Sequence, residues 1–411
     1  MIERIKNILA SLAIDDYLIR ETSETRLEGY YVRRALDMKR SAEYVEYAVS
    51  VYHSYRDGEE EYLGSSDALL FASMSDEEIG AKLTAAYTAA SYVRTPAYPH
   101  APAHTDVREG AHPTLSAIAE GFREALYRYD VDEDAFINSA EIFVASRYTR
   151  LVSSGGVDVG YPSLECSGEL VVQCKGAADV ELFDYFRYDG ECYDALADRV
   201  RDKLRAVRDR AAAEINMPSG EYDVILEGEC VRTLLGYALF QASAKNIYTG
   251  YSSASAGERL HGIYPDLTVI PTSPYSREGL EMSEQPLTSD GRLSRVIGGM
   301  RFSSYLGTTP TGEYERIRAE SGDMPLSEMK KDAHLYIVAF SDFQFDELDG
   351  YFGGEVRLGY YYDGQSIRAV TGFSVSGNFR TAESVAYSRG RYIDYTYDGP
   401  ACVRIGGVSV N

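Results

Sequence analysis

The sequence of 411 residues contains no tryptophan, and its five cysteines are widely spaced. Cys166, Cys174, Cys192, Cys230 and Cys402 form no C-x-x-C pair, so neither a disulfide framework nor a zinc ribbon is supported, and reduced structural thiols are expected. Positive charge is also scarce: 41 Lys+Arg face 64 Asp+Glu, a net charge of −23. A chain of that sign does not attract polyphosphates by counterion release, which argues against direct nucleic-acid binding and against docking on an anionic membrane. No apolar run reaches the length of a membrane span, and the first residues form a charged amphipathic segment rather than an apolar leader. A cytoplasmic protein is the resulting expectation.

What the chain does have is tyrosine, 35 residues against 14 phenylalanines. Tyrosine suits half-buried sheet faces and interfaces, where the ring is dry and the hydroxyl wet. With 45% hydrophobic and 26% charged residues, the chain can bury real cores. Its length suits two domains.

Periodicity predicts a first helix with Ile2, Ile5, Leu9 and Leu12 on one stripe. Alternation over Glu43–Tyr55, with Val45, Tyr47, Val49, Val51 and His53 on one face, predicts a strand. Ser75 and Glu78 form a capping-box pattern ahead of a helix bearing Ile79, Leu83 and Ala86. Four prolines between Thr95 and Pro113 exclude regular helix there, and a helix with Leu115, Ile118, Phe122 and Leu126 inward follows. Strands are predicted at Ser139–Val152, Glu169–Lys175 and Ala178–Tyr188, and a helix at Asp194–Ile215. The arginines of that helix alternate with aspartates, which reads as a solvated, ion-paired face rather than a nucleic-acid surface.

Met217-Pro218-Ser219-Gly220 marks a domain boundary, giving residues 1–216 and 217–411. Beyond it, a strand at Tyr222–Leu226 and a helix at Val231–Ser243 precede a run of short strands. The expected fold is α+β: an N-terminal α/β domain with helices packed on a mixed sheet, then a mainly antiparallel β domain.

Local motifs carry little chemistry. His100, His104 and His112 cluster, and clustered imidazoles can bind zinc. Their Pro-rich setting does not place them on one helical face. No serine lies in a G-x-S-x-G elbow, and no phosphate-binding loop occurs. Gly377-Asn378 reads as a turn.

The order of blocks says more. Pro218-Ser219-Gly220-Glu221-Tyr222-Asp223-Val224-Ile225-Leu226 is followed by an apolar helix. Later come Leu348-Asp349-Gly350-Tyr351-Phe352-Gly353-Gly354, then Thr371-Gly372-Phe373-Ser374-Val375-Ser376-Gly377-Asn378, and a close at Gly399-Pro400 with Ile405-Gly406-Gly407-Val408. This series resembles the TldD/PmbA family, also called the modulator-of-DNA-gyrase or peptide-maturation family. The resemblance implies two domains, assembly of two subunits, and a role in degrading or maturing unstructured peptides. It also implies, for the active branch, an H-E-x-x-x-H zinc motif on the helix after the opening strand, completed by a later cysteine. Laid on this chain, the motif positions are Gly236, Tyr237 and Gln241, none of which can serve as the histidine or glutamate it replaces.

The chain therefore resembles the PmbA side of the family. The expectation is a non-catalytic homologue or partner subunit, without cofactor, that binds unstructured peptides as a homodimer or beside a zinc-bearing paralogue. Gly236, Tyr237 and Gln241 are the candidate cleft residues. Two rival readings remain: an active metallopeptidase with zinc on His100, His104 and His112, and a tyrosine-rich protein- or glycan-binding module.

Overall fold

In the computed structural model, which describes residues 1–110, 113–176 and 179–411, the first half of the chain builds one seven-stranded sheet. Its elements are α1 (Ile2–Ser11), β1 (Tyr17–Val32), β2 (Ala35–Asp57), β3 (Glu60–Phe71), α2 (Asp76–Ala90), β4 (His104–Val107), α3 (Leu115–Tyr127), β5 (Ala135–Ser153), β6 (Val157–Cys174), β7 (Val180–Tyr188) and α4 (Tyr193–Ala211). The strand order is β3-β2-β1-β5-β6-β4, with β7 also on β6. All pairs are antiparallel except β4 on β6, so the sheet is mixed as expected. The predicted stripes account for the packing. Ile2, Ile5 and Leu9 of α1 and Ile79 and Leu83 of α2 meet Tyr47, Val49 and Val51 of β2. Farther along the sheet, Phe122 of α3 and Val200 and Leu204 of α4 cover Ile142, Val144 and Leu170. The capping box at Ser75 forms, with both reciprocal bonds present.

Two elements depart from the sequence reading. Strand β1 gives no strand signal in the sequence, because Glu21, Glu24, Arg26 and Glu28 obscure any apolar alternation. The structure buries Glu24 to 1% exposure and pairs it with Arg147, and with Arg26 at 2.7 Å. A paired carboxylate can occupy a sheet position that an apolar residue would otherwise hold. Helix α4 stops at Ala211 rather than Ile215, which is 81% exposed. Glu214 instead exchanges backbone hydrogen bonds with Ala369 and Thr371 of the second half, and this contact draws the chain out of the helix. The predicted strand start at Ala178 lies outside the described residues.

The second half comprises β8 (Gly220–Glu227), α5 (Glu229–Ala242), α6 (Ala244–Tyr248), β9 (Leu267–Ile270), β10 (Gln285–Ser289), β11 (Arg292–Leu293), α7 (Met300–Leu306), β12 (Arg316–Ala319), α8 (Leu326–Met329), β13 (His334–Phe345), β14 (Tyr351–Tyr362), β15 (Ile367–Val370), β16 (Phe373–Asn378), β17 (Val385–Tyr387), β18 (Arg391–Ile393), β19 (Tyr397–Pro400) and β20 (Cys402–Val410). Strands β13-β8-β20-β16-β14 pair in that order, and β13 also pairs with β14, so the ring closes on itself. A second sheet runs β11-β10-β9-β12-β19-β18. Helix α5 packs against β8 and β13 on one side and β10, β12 and β19 on the other.

The seam between the halves is polar and tight. Asp184 of β7 takes both forks of Arg199 from α4, at 2.7 and 2.8 Å, and Arg199 also donates to the Tyr392 hydroxyl of β18 at 2.7 Å. Three more arginines of α4 meet nearby acids or carbonyls: Arg201 reaches Asp198 and Asp202, Arg208 reaches Asp132, and Arg210 reaches the Glu181 carbonyl. Their positive charge is thus spent within the molecule.

Burial alone would raise the Asp184 pKa, but Lys203 and Arg199 hold it down at about 2. Its contribution to stability is therefore complete above the unfolded carboxylate range near pH 4. It is lost as pH falls towards 2. Asp184→Ala should cost about 3–5 kcal/mol, because Arg199 is left buried without its partner. Urea unfolding of the variant and parent from pH 7 down to 2 checks this: the gap between them should narrow only below about pH 4.

Candidate functional site

Strand β8 alternates its side chains between two cores. Val224 and Leu226 face α5, while Ile225 faces the opposite side with Met329 and Cys402. Gly228 then turns the chain sharply with a φ of 56°, a left-handed value that glycine takes without strain. This turn sets α5 between the closed ring and the second sheet. Val231, Leu234, Leu235, Ala238 and Ala242 are fully buried as a result.

The three candidate residues all lie on α5 and play different parts. Gln241 is 4% exposed, and its amide grips the loop that follows the helix. Its Oε1 accepts from the His261 N–H at 2.9 Å, while its Nε2 donates to the His261 carbonyl at 3.0 Å and to the Tyr264 hydroxyl at 3.1 Å. Both ends of the amide are therefore engaged in holding the loop. Tyr237 is 2% exposed; its ring lies edge-on to Phe345 at 5.3 Å and stacks on Phe240. Desolvation pushes its hydroxyl pKa up, opposed by Arg380 and reinforced by Asp349 and Asp346. Gly236 is only partly buried, and a Cβ placed on it would meet nothing within 4 Å.

An open groove of about 790 Å³ lies beside the last turns of α5. Phe240, one helical turn beyond Gly236, forms one wall. The tip of the β13–β14 hairpin forms the other, through Phe345, Asp346, Glu347, Leu348 and Tyr351. The hairpin tip is held from below. Asn378 donates to the Asp349 carbonyl at 3.0 Å, the Phe379 N–H donates to the Gly350 carbonyl at 2.8 Å, and Arg380 donates to the Leu348 carbonyl at 3.4 Å. Gly377-Asn378 is therefore not the turn expected from sequence. It ends strand β16, where a Cβ on Gly377 would come within 2.5 Å of the Phe352 ring. Arg380 also donates towards His261 Nε2 at 3.1 Å, and burial followed by this guanidinium lowers the His261 pKa, so the imidazole stays neutral as an acceptor.

These residues do not fit the zinc ion that the family resemblance implies. Gly236 offers no donor, Tyr237 a hydroxyl that resists ionisation, and Gln241 an amide already committed to protein groups. Cys402, opposite Glu227 on the β20–β8 ladder, faces away from α5, and burial pushes its thiol to about 12. Among the described residues, no group of three or more His, Cys, Asp and Glu is placed to hold a metal. The histidine alternative separates in the same way. His100 Nε2 meets the Asp16 carboxylate at 3.0 Å. His104 Nε2 meets the Tyr275 hydroxyl at 3.0 Å, whose own proton goes to Asp106 at 2.6 Å. Both Nε2 atoms therefore act as donors. His112 lies outside the described residues.

Two measurements test this assignment of roles. Gly236→Ala should raise stability by about 0.5–1 kcal/mol, since alanine favours helix over glycine and nothing obstructs its methyl group. Gln241→Ala should lower stability by about 1–3 kcal/mol, since buried partners at His261 and Tyr264 lose their bonds. Equilibrium urea midpoints at constant slope read both.

With the geometry in place, comparison with known proteins is direct. No curated protein matches the chain. Residues 219–410 match the family model of the PmbA/TldA metallopeptidase C-terminal domain. The whole chain shares its fold with a candidate modulator of a DNA gyrase from Thermotoga maritima, at a TM-score of 0.78 and 15% identity over 100% of both chains. TldE from Thermococcus kodakarensis aligns at 0.76 and 14% over 99% of each. A candidate modulator of DNA gyrase from Bacteroides thetaiotaomicron aligns at 0.75 and 14%, covering 100% of this chain and 98% of that one. The fold is thus shared from end to end, and the second half carries the sequence signature of the PmbA/TldA metallopeptidase C-terminal domain.

Proposed function

We propose that this protein is a non-catalytic member of the TldD/PmbA family that binds unstructured peptides in the groove beside α5. The observation that carries the reading is the use made of the three zinc-motif positions. Gln241 braces a loop, Tyr237 packs under the groove, and Gly236 opens space where the motif would place a histidine. A site that has lost its metal donors but kept its cavity is suited to holding a chain without cutting it. In this reading the protein works as a homodimer or beside a zinc-bearing paralogue, and it acts in the cytoplasm. No helix among the described residues is long and apolar enough to cross a membrane.

Metal analysis with a peptide assay tests the proposal. The purified protein should carry substoichiometric zinc, bind a labelled unfolded peptide, and leave it intact with or without chelator. Chelator-sensitive cleavage together with one zinc per chain would overturn the reading. Light scattering at micromolar concentration should give twice the chain mass, or twice only after a paralogue is added; a strict monomer in both cases would remove the assembly part.

A further inference from the structure

Peptide binding in the groove leaves open which peptides are held, and the walls of the groove bear on that question. Asp342, Asp346 and Glu347 all face it. None of them forms an ion pair with a described residue, although the chain has cations close by. Arg357 is turned to Glu355 at 3.4 Å and to the Ser341 hydroxyl at 2.8 Å. Arg380 is engaged by His261 and the Leu348 carbonyl. Three uncompensated carboxylates thus stand around an aromatic wall made by Phe240, Phe345 and Tyr351.

A second feature points the same way. The Tyr237 ring is buried, while its hydroxyl, which bonds to no described residue, is not sealed from solvent. Its ring abuts Phe345, and the charges acting on its hydroxyl include Asp346 of the groove wall. A hydroxyl that is wet but unpartnered within the protein can exchange its water for an incoming polar group. The ring packs on Phe240 and Phe345, both of which line the groove. Gly236, one turn before Phe240, leaves open space on the same face of the helix.

We propose, building on the peptide-binding reading, that this groove selects peptides carrying lysine or arginine, with the cationic head among Asp342, Asp346 and Glu347 and its stem along Phe240, Phe345 and Tyr351. Carboxylates supply attraction and specificity of sign, and the aromatic faces supply cation–π contact and cover for the methylene stem. A carboxylate side chain entering the same place meets three like charges and is rejected, which gives discrimination from both directions. The backbone of an extended peptide accounts for the remaining length of the groove.

Fluorescence anisotropy with two fluorescein-labelled Gly/Ser decamers decides the matter, one with a central Lys-Phe-Lys and one with Glu-Phe-Glu. The lysine peptide should bind at least about tenfold more tightly at low salt, with the gap shrinking as salt rises. The triple variant Asp342→Asn, Asp346→Asn, Glu347→Gln should abolish that preference; asparagine at 346 keeps the oxygen that accepts from the Leu348 N–H. Glu347→Lys should shift the preference towards the glutamate peptide, while Glu59→Gln, remote from the groove, should change nothing. Tyr237→Phe should weaken the lysine peptide several-fold with an unchanged urea midpoint, a split that a purely structural role would not produce. Gly236→Leu should block both peptides in a folded protein. Equal binding of the two decamers, or a preference that survives the triple variant, overturns the cationic selectivity and leaves the peptide-binding reading standing. Absence of binding by either decamer removes both.

Discussion

The burial of α5 from two sides is the constraint on which the rest of the second half depends. A helix on the surface of a sheet needs one apolar stripe, but one lodged between a closed ring and a second sheet must be apolar over most of its circumference. Val231, Leu234, Leu235, Ala238 and Ala242 meet that demand, and the two sheets share a single core through them. Only the face bearing Gly236 and Phe240 escapes, and the groove lies there. The position of the site follows from the packing: it is the one side of the helix that neither sheet covers.

The same arrangement explains why a polar residue as large as glutamine persists inside. Gln241 lies where α5 leaves the core and the chain must return as a loop. Both ends of its amide satisfy the backbone of His261, so no buried polar group is stranded there. His261 in turn receives Arg380, and Arg380 reaches the hairpin tip at Leu348. A chain of short polar contacts thus connects the helix, the loop and the groove wall. The groove has a rigid back and a wall built on a braced hairpin, which suits a binding surface that must be formed before its ligand arrives.

Electrostatics divides the molecule into two regimes. Along α4 and the seam, arginines are matched by aspartates and carbonyls, and the excess negative charge of the chain is locally cancelled. At the hairpin tip the cancellation stops: Asp342, Asp346 and Glu347 face the groove while the nearest arginines turn away. A net charge of −23 gives the sign of the molecule, but the fold decides where that sign is expressed.

The sequence by itself determined the amphipathic helices, the β-rich character of the second half and the domain signature over residues 219–410. Each is a property of residue type at short spacing, where periodicity and side-chain chemistry act directly. Tertiary structure alone decided the rest. Strand β1 has no legible sequence pattern because Glu24 is made tolerable by Arg147, more than a hundred residues away. Gly377-Asn378 reads as a turn in isolation and becomes a strand end because Phe352 packs against it. Cys402 could not be placed from sequence, since only the β8–β20 register shows that it faces away from α5. The groove residues share no mark in the sequence, because a cavity is made by elements distant in sequence, and no local pattern records which of them will meet.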